Sequence, residues 1–106
     1  MLVEKIQLYF PNHHFTTDRK DIAFNNPFIY YVDEVILPDG IEHILNNAHN
    51  DSIVIVRNMY LSKRKTQNWQ QLKTIKDVTV SVDLFFMGLL FVRKEQGKQE
   101  FKLRLF

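Results

Sequence analysis

FIYYVDEVILPDGIEHILNNAHNDSIVIV, residues 28–56, is the stretch on which the fold turns. Its first ten residues are mostly β-branched or aromatic, the composition of a long strand, and Pro38 stops it. Ile41, Ile44, Leu45 and Ala48 then recur at i, i+3, i+4 and i+7, one apolar helical stripe. Asp39 and Glu42 stand three apart ahead of that stripe, the spacing of a capping box. The pattern predicts one short helix near residues 40–48. SIVIV (52–56) is a continuous β-branched run, as for a strand buried on both faces.

Towards the N-terminus, KIQLYF (5–10) places Ile6, Leu8 and Phe10 on one face and Lys5, Gln7 and Tyr9 on the other, the period of a half-buried strand. Pro11 and Asn12 end it. A short edge strand is expected around residues 22–24, before Asn25, Asn26 and Pro27 mark a turn. Towards the C-terminus, VTVSV (78–82) and EFKLRLF (100–106) alternate, and LFFMGLLFV (84–92) reads as a core strand in which Gly88 marks a bulge or bend. RKEQGK (93–98) supplies a turn. Residues 62–72 are compatible with a loop or a short helix, since Trp69, Leu72 and Lys76 suit one stripe while Thr66 and Asn68 weaken it.

With 106 residues and no internal repeat or linker, the chain reads as a single domain over 1–106. About six strands and one helix predict a mainly β, α+β fold: a small, strongly curled antiparallel sheet or partly closed barrel, since so apolar a sheet has edges to protect. The absence of cysteine removes disulfides, thiolate catalysis and Cys-based metal sites. The start lacks a basic region followed by an apolar run, which predicts a cytoplasmic location, and the nine-residue apolar window 84–92 is too short to cross a bilayer.

The charge is lopsided: residues 1–50 carry a net −4 and residues 51–106 a net +6. MYLSKRKTQNWQQLK (59–73) holds four bases and no acid, interleaved with Tyr60 and Trp69. Cations for phosphates and flat side chains for bases are what a nucleic-acid surface requires. On this reading Lys63, Arg64, Lys65, Lys73 and Lys76 meet phosphates, Arg57, Lys102 and Arg104 extend the track, and Tyr60 and Trp69 stack on bases. RNA or single strands are favoured over duplex because no long basic recognition helix is present. The alternative is that these are ordinary solubilising charges, with Trp69 in the core.

Other chemistry finds less support. His13, His14, His43 and His49 have no metal-ligand spacing, so no metal site is predicted. Asp33, Glu34 and Asp83 interrupt apolar runs, where a buried acid paired with Arg57 or another base is the simplest reading. With three glycines and no nucleophile elbow or phosphate loop, neither a cofactor nor an enzyme activity is expected. The sequence therefore predicts a small non-enzymatic regulatory protein that binds nucleic acid. The competing class is a protein-interaction module, a small inhibitor or accessory protein of a bacterium or mobile element docking an acidic partner. The abundance of Phe and Tyr makes a homodimer a further candidate.

Overall fold

Residues 28–56 fold as strand, helix and strand, and the two strands lie side by side and parallel. β2 (Phe28–Val32) pairs with β3 (Ile53–Arg57), Ile29 opposite Ile53 and Val32 opposite Val56, while α1 (Pro38–Asn47) carries the chain back to the starting end of the sheet. Parallel neighbours require a long crossover of this kind. The computed structural model describes residues 6, 8–32, 35, 38–93 and 97–104, the side chains of Pro38 and Asp39 excepted. β2 ends at Val32 and Val35 is not in a strand, and α1 starts at Pro38, ahead of the expected cap Asp39; Asp33, Glu34, Ile36 and Leu37 and the side chain of Asp39 lie outside the described residues and side chains.

A second crossover follows. α2 (Lys63–Leu72) leads from β3 to β4 (Val78–Asp83), which runs parallel to β3 one strand's width away. β5 (Met87–Val92) turns back through residues 84–86 and fills that gap, antiparallel to both neighbours. β1 (His14–Thr16) lies parallel to β2 at one edge and β6 (Gln99–Lys102) parallel to β4 at the other, giving the order β1-β2-β3-β5-β4-β6. Among the described residues the expected α+β class and six strands are present, and the sheet is not closed. It is mixed rather than antiparallel, with β5 alone running against the rest. Period-two patterning assigns faces to a strand but carries no information on its direction; the two helical crossovers set that.

α1 and α2 lie against one face. Ile41, Ile44, Leu45 and Ala48 of the predicted stripe are buried there with Trp69, Leu72 and Ile75, against Phe28, Tyr30, Val54, Val56, Leu90 and Val92 of the sheet. On the other face Ile29, Ile53, Ile55 and Met87 are buried under half-buried Ile6, Phe10, Phe15, Leu89 and Phe91. β3 is thus covered on both sides, as its unbroken β-branched run requires.

Three local expectations change. Ile6, Leu8 and Tyr9 are helical rather than strand: Ile6 and Phe10, four apart, share the face that packs on the sheet, while Leu8 is exposed. The short edge strand is His14–Thr16, and Ile22 instead enters the helix-side core. Gly88 sits within regular pairing to Val56 and Asp83, and the irregularity lies between Val78 and Val80. What Gly88 provides is space: a Cβ there would lie 2.4 Å from Trp69 Cη2.

Candidate nucleic-acid interface

Because β2, β3, β4 and β6 are parallel, their C-terminal ends gather at one end of the sheet. In parallel sheets ligands bind outside those ends, where successive connections leave in different directions. Here β3 ends at Arg57, β4 at Asp83 and β6 at Lys102, and α2 begins beside them.

The start of α2 is built by Ser62. Its hydroxyl accepts from the amide of Lys65 at 3.1 Å, a normal N-cap, and Thr66 Oγ1 donates to the Met59 carbonyl at 2.9 Å, tying the first turn to the preceding loop. The turn itself is Lys63, Arg64 and Lys65, with no acid. Amides at a helix start carry partial positive charge, so cations here are mildly unfavourable and anions favourable. The fold gains nothing from this order of charges.

Below this turn lies a network centred on Asp83, which is buried. The Tyr60 hydroxyl donates to Asp83 Oδ2, the Phe85 amide donates to Oδ1 at 2.8 Å, and Arg104 Nη1 stands 3.5 Å from Oδ1 and donates to the Asp83 carbonyl at 3.2 Å. Burial, reinforced by the bond to Asp83, pushes the Tyr60 hydroxyl up to about 12, so it remains a donor across the physiological range. Asp83 thus has a basic partner, Arg104 rather than Arg57; Arg57 Nη1 donates to the Tyr31 hydroxyl at 3.3 Å.

Phe85 is the residue that sequence reasoning missed. It sits in the turn between β4 and β5 with φ 76°, a left-handed conformation that a bulky side chain rarely adopts, and the residue is 50% exposed. The ring stacks on Tyr60 with ring centres 5.6 Å apart, and the Arg104 guanidinium lies over it, 5.5 Å from its centre. The bond from its own amide to Asp83 holds that conformation. Asn58, at the start of the β3–α2 loop, is also left-handed (φ 57°), and its amide donates to the Phe86 carbonyl at 2.8 Å, joining the two loops.

The ten predicted contact residues divide. Arg57, Tyr60, Lys63, Arg64, Lys65 and Arg104 belong to this end of the sheet, and Lys102 lies at its outer edge. Lys73 and Lys76 follow the far end of α2, about 15 Å along the helix from its first turn. Lys73 stands 3.8 Å from Glu100 and over the Trp69 ring. Trp69 is 0% exposed and packs on Gly88, so it is a core residue and offers no face to a base. Residues 62–72 resolve as a helix, with Trp69 and Leu72 turned inward.

Among the described residues no three His, Asp or Glu gather as metal ligands, and no helix is long and apolar enough to cross a membrane. No family model, curated protein or solved structure matches this chain.

Proposed function

We propose that this is a small non-enzymatic protein that binds single-stranded nucleic acid, RNA foremost, at the C-terminal end of its sheet, in a regulatory rather than processing role. Lys63, Arg64 and Lys65, flanked by Arg57 and Arg104, take phosphates, and the half-exposed Phe85 takes a base in place of the Arg104 guanidinium that lies over its ring. One arrangement carries the reading: a helix that starts on three cations at its own positive end, next to an exposed aromatic ring held in a strained backbone. The order of charges does not benefit folding and the left-handed backbone at Phe85 opposes it, and both suit a stacked, polyanionic strand.

The test is fluorescence anisotropy of labelled single-stranded RNA, single-stranded DNA and duplex at two salt concentrations, because buried Trp69 does not report on this surface. Each Ala replacement at Lys63, Arg64 or Lys65 is expected to reduce the salt slope by about 0.7 on single strands. Phe85→Gly is expected to weaken binding by about 1–3 kcal/mol. The same change releases about 1–3 kcal/mol of backbone strain while losing the Tyr60 stack and the Arg104 contact, about 1 kcal/mol each, so stability stays within about 1 kcal/mol of wild type. Lys76→Ala is expected to leave binding unchanged. Oligonucleotides that stay free of the folded protein at low salt would reject the reading and favour the docking of an acidic protein on the same basic end.

A further inference from the structure

β6 is an edge strand whose own sequence complements itself, and we infer that it pairs antiparallel with β6 of a second copy, joining two six-stranded sheets. Leu103 donates its amide to the Asp83 carbonyl at 2.8 Å, and Phe101 stands opposite Val82 in the parallel ladder. Alternation therefore turns the odd-numbered backbone groups of β6 towards β4 and those of Glu100 and Lys102 outward. Antiparallel partners that face each other through outward groups exchange both hydrogen bonds. The register that uses them sets Glu100 opposite Lys102 of the second copy, Lys102 opposite Glu100, and Phe101 opposite Phe101 on the two-fold axis.

The side chains agree with that register. Glu100, 65% exposed on its side chain, meets a Lys in each half of the pair, so the lysine that would repel an unrelated strand becomes a selective contact. Phe101 and Leu103 are 46% and 49% exposed on the opposite face, where with Val80, Val82 and Phe91 they line an open groove of about 360 Å³. Pairing across β6 brings two such grooves together on one side of the joined sheet and covers Phe101 with its counterpart. In any other antiparallel register that uses the outward groups, Glu100 and Lys102 are no longer matched in both halves.

Sedimentation of the full chain over a range of concentrations tests this. Wild type is expected to show a monomer–dimer equilibrium. Glu100→Lys and Lys102→Glu each place like charges opposite one another, and each is expected to raise the dissociation constant at least tenfold. An equimolar mixture of the two variants restores both attractions and is expected to form a heterodimer. The chain has no cysteine, so Phe101→Cys gives a second, independent reading. Residues facing each other in a pair without mutual hydrogen bonds have Cα atoms about 4.5 Å apart, within disulfide reach. Phe101→Cys is expected to oxidise to a covalent dimer, whereas Leu103→Cys, four residues out of register with its own copy, does not. A wild type that stays monomeric at every concentration it dissolves to, a dimer indifferent to both charge reversals, or cross-linking as fast through position 103 as through 101 would each overturn the pairing.

Discussion

Replacing Gly88 by alanine tests the packing between helix and sheet most directly. Its Cβ would stand 2.4, 2.5 and 3.0 Å from Trp69 Cη2, Cζ3 and Cζ2, against an ordinary contact of at least 3.4 Å, so ring or strand must move by about 1 Å. The ring has little room, since Trp69 is fully buried between Leu72 and the sheet, and Gly88 is fixed by Val56 and Asp83 on either side. Overpacking of this kind costs about 1–3 kcal/mol or more, and alanine in an extended strand recovers about 0.5–1 kcal/mol of chain entropy. A net loss of about 1–2 kcal/mol follows, which lowers the melting temperature of a domain this size by roughly 4–16 °C. Chemical denaturation followed by far-ultraviolet circular dichroism measures it. In a Trp69→Phe background the offending far edge of the indole is gone, along with an Nε1 that has no hydrogen-bond partner among the described residues. There Gly88→Ala should cost at least 1 kcal/mol less, a coupling of the size expected for side chains in contact. Equal losses in the two backgrounds, or a Gly88→Ala protein within about 0.5 kcal/mol of wild type, would refute the close-approach argument.

Other outcomes are expected from the same geometry. Tyr60 should ionise near pH 12 in an ultraviolet titration, and that late component should vanish in Tyr60→Phe. Because its pKa is raised above the unfolded value of 10.0, the folded state holds the proton longer; the stabilisation is complete below pH 10 and declines as pH rises towards 12, visible as a falling denaturation midpoint that Tyr60→Phe flattens. Lys63→Glu should raise stability by about 0.3–1 kcal/mol, by placing an anion at the helix start, while weakening oligonucleotide binding; a loss of stability would contradict the electrostatic account of α2. Lys98 Nζ donates to the carbonyls of Lys73, Ile75 and Val78 at 3.0, 2.8 and 2.8 Å, so Lys98→Met, which keeps the stem, should lower the urea midpoint by an amount equivalent to about 1–2 kcal/mol.

How much of this was legible depends on which physical signal each element carries. α1 and β3 announce themselves through spacing and unbroken apolar runs, because burial on a stripe or on both faces leaves no freedom in the pattern. The segment around Ile6 does not, since positions 6, 8 and 10 satisfy a strand while 6 and 10 alone satisfy a helix; the exposure of Leu8 separates the two, and exposure is a tertiary property. α2 hides because only Asn68, Trp69 and Leu72 of its ten residues are buried, and its strongest signal is a cap, Ser62, that precedes a run of cations rather than an apolar stripe. At the candidate site the bases of α2 were visible as composition, but their partners were not. Phe85 lies in an apolar run and read as core; its exposure follows from an Asp two residues earlier folding back to hold its amide. Trp69 failed in the opposite sense, an aromatic among bases whose helical phase turned it inward.

The place of β5 bears on the order in which the chain can assemble. β3 and β4 flank it yet do not pair with each other, so among the described residues β1, β2 and β3 share no strand pairing with β4 until residues 87–92 arrive between them. During synthesis the early strands can pair with one another, but the middle of the sheet stays open until nearly the whole chain has emerged. A ribosome-bound chain stopped before Met87 therefore holds β4 without its partner and Trp69 without the strand it packs on, whereas one extended past Val92 can close the centre in a single step.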